Sequence, residues 1–490
     1  MHHGSTLLRT PGVALLTIAL LAIGCAKKAE EGKVPVTTAS EEARNAFLQG
    51  RELADNLRLT NSIEHFDKAI ALDPDFALAY LNRANVSGTA KEFFEHLNKA
   101  VALTAKVSEG ERLLILAAEA GAGANAARQK EMLDTLVEVC PKDERARFAL
   151  GAYYFGQQQY DRAIGEYKQA IELAPNFPPV YNILGYAYRQ VENYPEAEKT
   201  FKKYTELIPQ DPNPYDSYAE LLLKMGKFDQ SIEYYQKALA VDPKFVASYS
   251  GLAMNYMHKG MSAEASGALK KLLEGARNEG EQRIALFTQT VLYADAGQLD
   301  LALQEMDQQY AMAEKSSDPA QMTADLVFRG NILSEMGKYD DAAAAYRKAV
   351  EVTAASNLSQ AVKDNTALFG HFNAVTAALG KKDLKTARAE SDEFRKGAEA
   401  GKNPNQIRLA HDLAGKIALA EKDYGTAITE LAQSNLQNPY NLYRLSLAYQ
   451  GLGDREKSKE YVAKAANFNG LPGLNYAFVR TRAATMAASM

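Results

Sequence analysis

The sequence predicts an all-α solenoid of about eleven or twelve antiparallel helix pairs. Two observations carry that expectation. Pro141, Pro175, Pro209 and Pro243 stand 34 residues apart. Ring and small positions keep the same step: Tyr160, Tyr194 and Phe228; Ala163, Ala197, Ser231 and Ala265; Tyr167, Phe201, Tyr235 and Leu269; Tyr154, Tyr188, Leu222 and Tyr256. A fixed period of this length marks a helix–turn–helix array. Such arrays lengthen by stacking rather than by enlarging one core, so length alone sets no domain count here.

Each part of the unit has a physical reason. The first helix carries a small residue (Gly151, Gly185, Ala219, Ala253) and the second another (Ala163, Ala197, Ser231, Ala265), so the two helices can cross closely. Large rings such as Tyr154 and Tyr188 are expected to fill the wedge between them, small against large at native density. Gly226 and Gly260 fall just past the first helix, where a left-handed cap is needed. The prolines end the second helix and open the next unit, since proline is tolerated in a first turn but not in a helix interior.

Residues 144–177, ERARFALGAYYFGQQQYDRAIGEYKQAIELAPNF, resemble the tetratricopeptide repeat, with Leu150, Gly151, Tyr154, Ala163, Tyr167, Ala170 and Pro175 in the pattern positions. Residues 178–211 and 212–245 follow the same pattern. The resemblance implies a right-handed superhelix with a concave groove that binds proteins or peptides.

In chain order, residues 1–24 read as a signal peptide, with Arg9 in the n-region and an apolar run from Val13 to Ile23 that is short for a membrane span. Leu21-Ala22-Ile23-Gly24-Cys25 resembles a bacterial lipobox, which implies lipidation of Cys25 and anchoring at the cell envelope. By the sorting rule for such lipoproteins, Ala26 suggests the outer membrane, facing the periplasm. Residues 25–42 are polar and aperiodic and read as the lipidated terminus and a flexible tether. An N-terminal array is expected over 43–278, opening with Gly50, Leu53, Phe66, Ala69 and Pro74 in register. Gly121 to Ala127 reads as a turn between helices, because no strand precedes it and no Lys-Ser/Thr follows. The interruption Gly275 to Gly280 is the expected joint to a divergent C-terminal array over 279–469. That array includes a loop from Gly397 to Pro404. Residues 470–490 are expected to form a helix that caps the open end.

A formal charge of −5 argues against a general nucleic-acid binder. Cys140 reads as a small packing residue at the end of a second helix. The histidines at 2, 3, 65, 96, 258, 371 and 411 include no i, i+4 pair, and no Cys-x-x-Cys, Gly-x-Ser-x-Gly or Walker A sequence occurs. Asp340-Asp341 sits where acids favour a helix N-terminus. No catalytic residue, metal site or cofactor is expected, and the chain reads as a non-enzymatic adaptor.

The resemblance places the groove-lining positions on the first helix of each unit. They are Phe148 and Phe155; Asn182, Tyr186 and Arg189; Asp216, Glu220 and Lys224; Met254 and Met257. Rings beside an arginine are typical of interaction hot spots, and methionines supply adaptable apolar surface. The same rings could instead pack between neighbouring helices. The expected partner is a protein or peptide, with the membrane reached only through the lipid and no nucleic acid bound. An assembly factor of the pilotin kind would look the same. An envelope-glycan or peptidoglycan binder would stack rings on sugars; the lack of Trp weighs against it, while 26 Tyr keep it open.

Overall fold

The computed structural model describes residues 31–490, so the signal segment and Cys25 lie outside the described residues. Among the described residues, twenty-five α-helices follow one another without a strand. The first run is α1 (Glu41–Asp55), α2 (Leu59–Leu72), α3 (Ala77–Asn85), α4 (Ala90–Ala102), α5 (Glu109–Ala122), α6 (Ala126–Val139), α7 (Glu144–Gly156), α8 (Tyr160–Leu173), α9 (Pro178–Gln190), α10 (Tyr194–Leu207), α11 (Asn213–Lys224), α12 (Phe228–Val241), α13 (Val246–His258) and α14 (Ser262–Gly275). The second is α15 (Glu279–Asp295), α16 (Leu299–Lys315), α17 (Pro319–Glu335), α18 (Tyr339–Ala355), α19 (Gln360–Gly380), α20 (Leu384–Gly401), α21 (Pro404–Ala420), α22 (Tyr424–Ala432), α23 (Pro439–Leu452), α24 (Arg455–Ala466) and α25 (Leu474–Ala488). The helices pair in sequence as the period predicts, with α25 left over.

The close crossing is built around glycine. A methyl group added to Gly151 would lie 2.5 Å from the Tyr167 ring, and one added to Gly185 would lie 2.6 Å from Phe201. Both rings are fully buried. The wedge is thus filled first by the rings of the second helix, with Tyr154 and Tyr188 completing it from the first. Between units, at three of the four register prolines the tyrosine hydroxyl six residues on donates to the proline carbonyl: Tyr181 to Pro175 at 2.8 Å, Tyr215 to Pro209 and Tyr249 to Pro243 at 3.0 Å. This repeated bond ties the end of one pair to the start of the next.

The turn inside every pair except α3–α4 has one left-handed residue. Gly226 and Gly260 fill it at φ 72° and 73°, and Gln158 and Glu192 hold the same place at 57° and 58°. In the second run the corresponding residues are Gly297, Gly337, Lys382, Lys422 and Gly453. Helices α15 to α18 have 17 residues each and α19 has 21, against 13 or 14 in α7 to α10. Longer helices stretch the repeat, which is why the 34-residue register fades after α14.

Two expectations differ from the structure. Gly397 does not open a loop: α20 continues to Gly401, because Gly397 is a point of close approach, where a methyl would lie 2.5 Å from Leu368. In place of a free tether, residues 32–40 lie along the array. Val34 N donates to Asp143 at 2.9 Å, and Thr37 gives Glu111 two hydrogen bonds, at 2.7 and 2.6 Å. Buried Glu111 also closes the capping box at Ser108, so this strap satisfies the carboxylate's remaining capacity.

The coil is tight enough for successive superhelical turns to touch. Thr60 donates to Glu281 at 2.8 Å, Lys91 N to Asp318 at 2.8 Å, and Asn403 to the Ala124 carbonyl at 3.0 Å. Arg408 donates to the Gln157 carbonyl at 2.6 Å. These partners are 221 to 279 residues apart, roughly seven repeats of the kind expected for such arrays.

Candidate interaction surface

The odd-numbered helices α7, α9, α11, α13 and α15 approach their next-but-one neighbours, which places them on the inside of the curve. The sequence-derived groove residues all stand on this inner row. Their environments divide them into three groups.

Phe148 and Phe155 are half-buried packing rings. Phe148 meets Tyr167 and Phe177 at 5.9 and 5.8 Å between centroids, and Phe155 stands edge-on to Tyr160 at 5.4 Å. Asn182 is buried, with its Oδ1 lacking a hydrogen-bond partner.

Tyr186, Arg189, Asp216 and Glu220 form a polar cluster across α9 and α11. The Arg189 guanidinium lies 4.6 Å from the Tyr186 centroid and donates to Glu220 at 3.1 Å. Asp216 accepts from Ser248 Oγ at 2.6 Å. Burial raises both carboxyls above their usual range, Glu220 being held down in part by Arg189 and Asp216 pushed further by Glu220.

Lys224, Met254 and Met257 are covered by the chain itself. Lys224 Nζ lies 3.7 Å from the Phe468 centroid and donates to the Phe468 carbonyl at 3.1 Å. Met254 and Met257 are buried in one cluster with Leu474, Tyr476, Ala477 and Phe478 of α25. His258 stacks on Phe228 at 5.1 Å and faces Tyr476 at 5.5 Å. Helix α25 packs on α23 and α24 and, across the groove, on α15. Arg480 binds Asp295 through two hydrogen bonds, and Arg482 reaches Glu335 at 2.7 Å. Desolvation lowers His258 to about 4, with Arg480 adding to the effect, and lowers Lys224 to about 8, with Arg189 adding.

Sequence reasoning missed this occupant. Its signal was present: Arg480 and Arg482 are the charges of an otherwise uncharged tail, and each finds an acid on another helix. It also missed a cavity of about 460 Å³ inside the second run, where Phe369, Phe372, Lys416 and Arg444 surround buried Asp412. Among the described residues, no cluster of His, Cys, Asp or Glu could hold a metal, and no helix is long and apolar enough to cross a membrane.

Tetratricopeptide-repeat family models match residues 153–192, 178–211, 219–245, 326–356 and 439–469. The chain carries tetratricopeptide repeats. Its repeats are similar to segments of the human protein O-mannosyl-transferase TMTC2 (30% identity over 99 residues) and of anaphase-promoting complex subunit 3 from Dictyostelium discoideum (38% over 61). They also match the small glutamine-rich tetratricopeptide repeat-containing protein 2 of Mycosarcoma maydis (30% over 96). These matches cover 20%, 12% and 20% of this chain, and 12%, 6% and 27% of those relatives. Among solved structures, the crystal structure of MamA protein aligns at 21% identity over 34% of this chain and 91% of that one, with a TM-score of 0.29. MamA from Desulfovibrio magneticus RS-1 aligns at 16% over 35% and 97%, with a TM-score of 0.30. Tetratricopeptide repeats support an interaction scaffold and suggest protein partners in general.

Proposed function

We propose that this chain is a non-enzymatic adaptor held at a bacterial cell envelope by a lipid on Cys25, whose inner surface receives a segment of a partner protein. The observation that carries the reading is the way residues 468–478 already lie on that surface. A ring covers Lys224, a tyrosine meets His258, and apolar side chains fill the site over Met254 and Met257. The inner row of α11 and α13 therefore has the chemistry to hold a protein segment: rings, methionines and a cation at a spacing that a chain can span. An outer-membrane location facing the periplasm follows from the lipobox reading and the residue after Cys25.

Two measurements test it. A photo-crosslinking residue placed at Ala152 or Gln190 on the inner row should capture a protein adduct that the same residue at exposed Lys168 or Lys202 does not. Adducts that are the same from both faces would move the site to the outer surface. Cys25→Ser should shift the chain from the membrane to the soluble fraction; retention in the membrane would remove the lipoprotein half of the proposal.

A further inference from the structure

Where successive turns of the coil meet, they line a partly open cavity of about 470 Å³. Its apolar wall comes from distant parts of the chain: Leu57 in the turn before α2, Leu59 at the start of α2, Val86 after α3, Val246 at the start of α13 and Ile284 in α15. Asp216 of α11 lines the same space.

The charged groups around it can be accounted for pair by pair. Arg58 is taken by Asp211 at 2.8 Å, Arg277 by Glu281 at 2.7 Å, and Arg189 by Glu220 at 3.1 Å. Asp242 accepts from the Lys244 backbone N–H at 2.9 Å, and Lys244 itself is exposed. Asp216 differs from all of these. It is 4% exposed, its hydrogen bond comes from a neutral hydroxyl, Ser248 Oγ at 2.6 Å, and among the described residues no cation pairs with it. A buried carboxylate needs a cation or several donors to stay ionised. Burial and the neighbouring Glu220 accordingly favour its protonated form.

We propose that this cavity binds a small molecule, or an inserted side chain, that carries one ammonium group on an unbranched apolar stem, with the ammonium seated against Asp216. The volume falls in the range of about 300–1,000 Å³ typical of small-ligand sites, which combine apolar wall with a few placed polar groups; here most of the polar lining is already paired, and Asp216 is the buried acid without a cation. The shared chemistry has two sources, a free alkylamine and the lysine side chain of a partner.

The test is calorimetry on the purified chain at neutral pH with hexylamine, hexanol, hexanoate and N-acetyl-lysine methylamide. Hexylamine should bind at least about tenfold more tightly than hexanol or hexanoate, as expected when a buried charge discriminates. Binding should also release a proton, seen as a heat that differs between buffers of different ionisation enthalpy. Asp216→Asn should weaken hexylamine on the order of a hundredfold, the scale of losing one partner of a buried charge pair. Leu59→Phe, at a rim position 40% exposed and so tolerant of substitution, should weaken it by filling space. It decides the matter if Asp216→Asn does not fold. Binding of hexylamine alone would assign the site to a free amine, and equal binding of the capped lysine would assign it to a protein side chain. No hexylamine binding, equal binding of hexanol, or full binding by Asp216→Asn or Leu59→Phe would overturn the proposal.

Discussion

Lys224 and Phe468 are bound twice, with the ammonium 3.7 Å from the ring centroid and donating to the same residue's carbonyl at 3.1 Å. The lysine comes from the inner row and the phenylalanine from the segment that lies over it. Phe468→Ala removes the ring while leaving the carbonyl in place. The mutant should lose about 1–3 kcal/mol, from the apolar area and the desolvated cation–π contact. Hydrogen exchange should rise in residues 468–478 before it rises elsewhere. Uniform loss across the chain would mean that the segment is part of the global core and not a separately detachable piece.

Arg480→Ala should cost more. Its partner Asp295 has a side chain only 5% exposed, and truncating the arginine leaves that carboxylate buried without its cation. Breaking a buried pair from one side typically costs about 3–5 kcal/mol. The double variant Arg480→Ala/Asp295→Ala should recover part of the loss in urea unfolding, and a purely additive double mutant would argue against the pair.

Acid should loosen the same region. His258 is lowered to about 4 in the folded chain by desolvation first and by Arg480 from α25 second, with Asp295 of α15 and the Gly470 backbone opposing. The unfolded value is about 6.5. The neutral ring therefore contributes stability that is full above that value and is lost as pH falls from about 6.5 towards 4, by up to roughly 3 kcal/mol. His258→Gln should flatten that part of the profile of hydrogen exchange in α25. An unchanged slope would assign the titration to another group.

Turns that hold a left-handed residue other than glycine carry removable strain. Gln158 and Glu192 adopt the left-handed conformation that glycine takes at 226 and 260. Replacing either by glycine removes a cost of about 1–2 kcal/mol and adds unfolded-chain entropy of about 0.5–1 kcal/mol. Each single variant should be neutral to stabilised by about 1 kcal/mol in denaturant midpoint. Clear destabilisation would mean that the side chain holds the turn through contacts.

Much of the fold was legible because it is local. The proline and small-residue registers fix helix pairs whose partners lie within one period, and Gly151 or Gly185 names its own packing ring sixteen residues on. The register faded where α15 to α21 lengthened, yet glycines at 297 and 337 still marked the turns. The state of the candidate surface was not legible. Met254 and Met257 sit at inner-row positions, but what covers them arrives from α25, and no periodicity links residues so far apart. The contacts between coil turns are likewise mostly single hydrogen bonds, many to backbone carbonyls, and Asn403 or Arg408 has no neighbour in the sequence that announces such a role. The strap at 32–40 was missed for a similar reason: its polar composition reads as a tether until Glu111 and Asp143 are seen to need its N–H groups.

The bonds from Thr60 to Glu281 and from Asn403 to Ala124 also fix how many repeats one circuit of the coil contains. An open solenoid tolerates the gain or loss of a unit, because each unit answers only to its neighbours. In a coil whose circuits are bolted together, deleting one unit between these anchors would put every bolt out of phase with its hole. The length of this array is thus a built-in dimension, like the pitch of a screw.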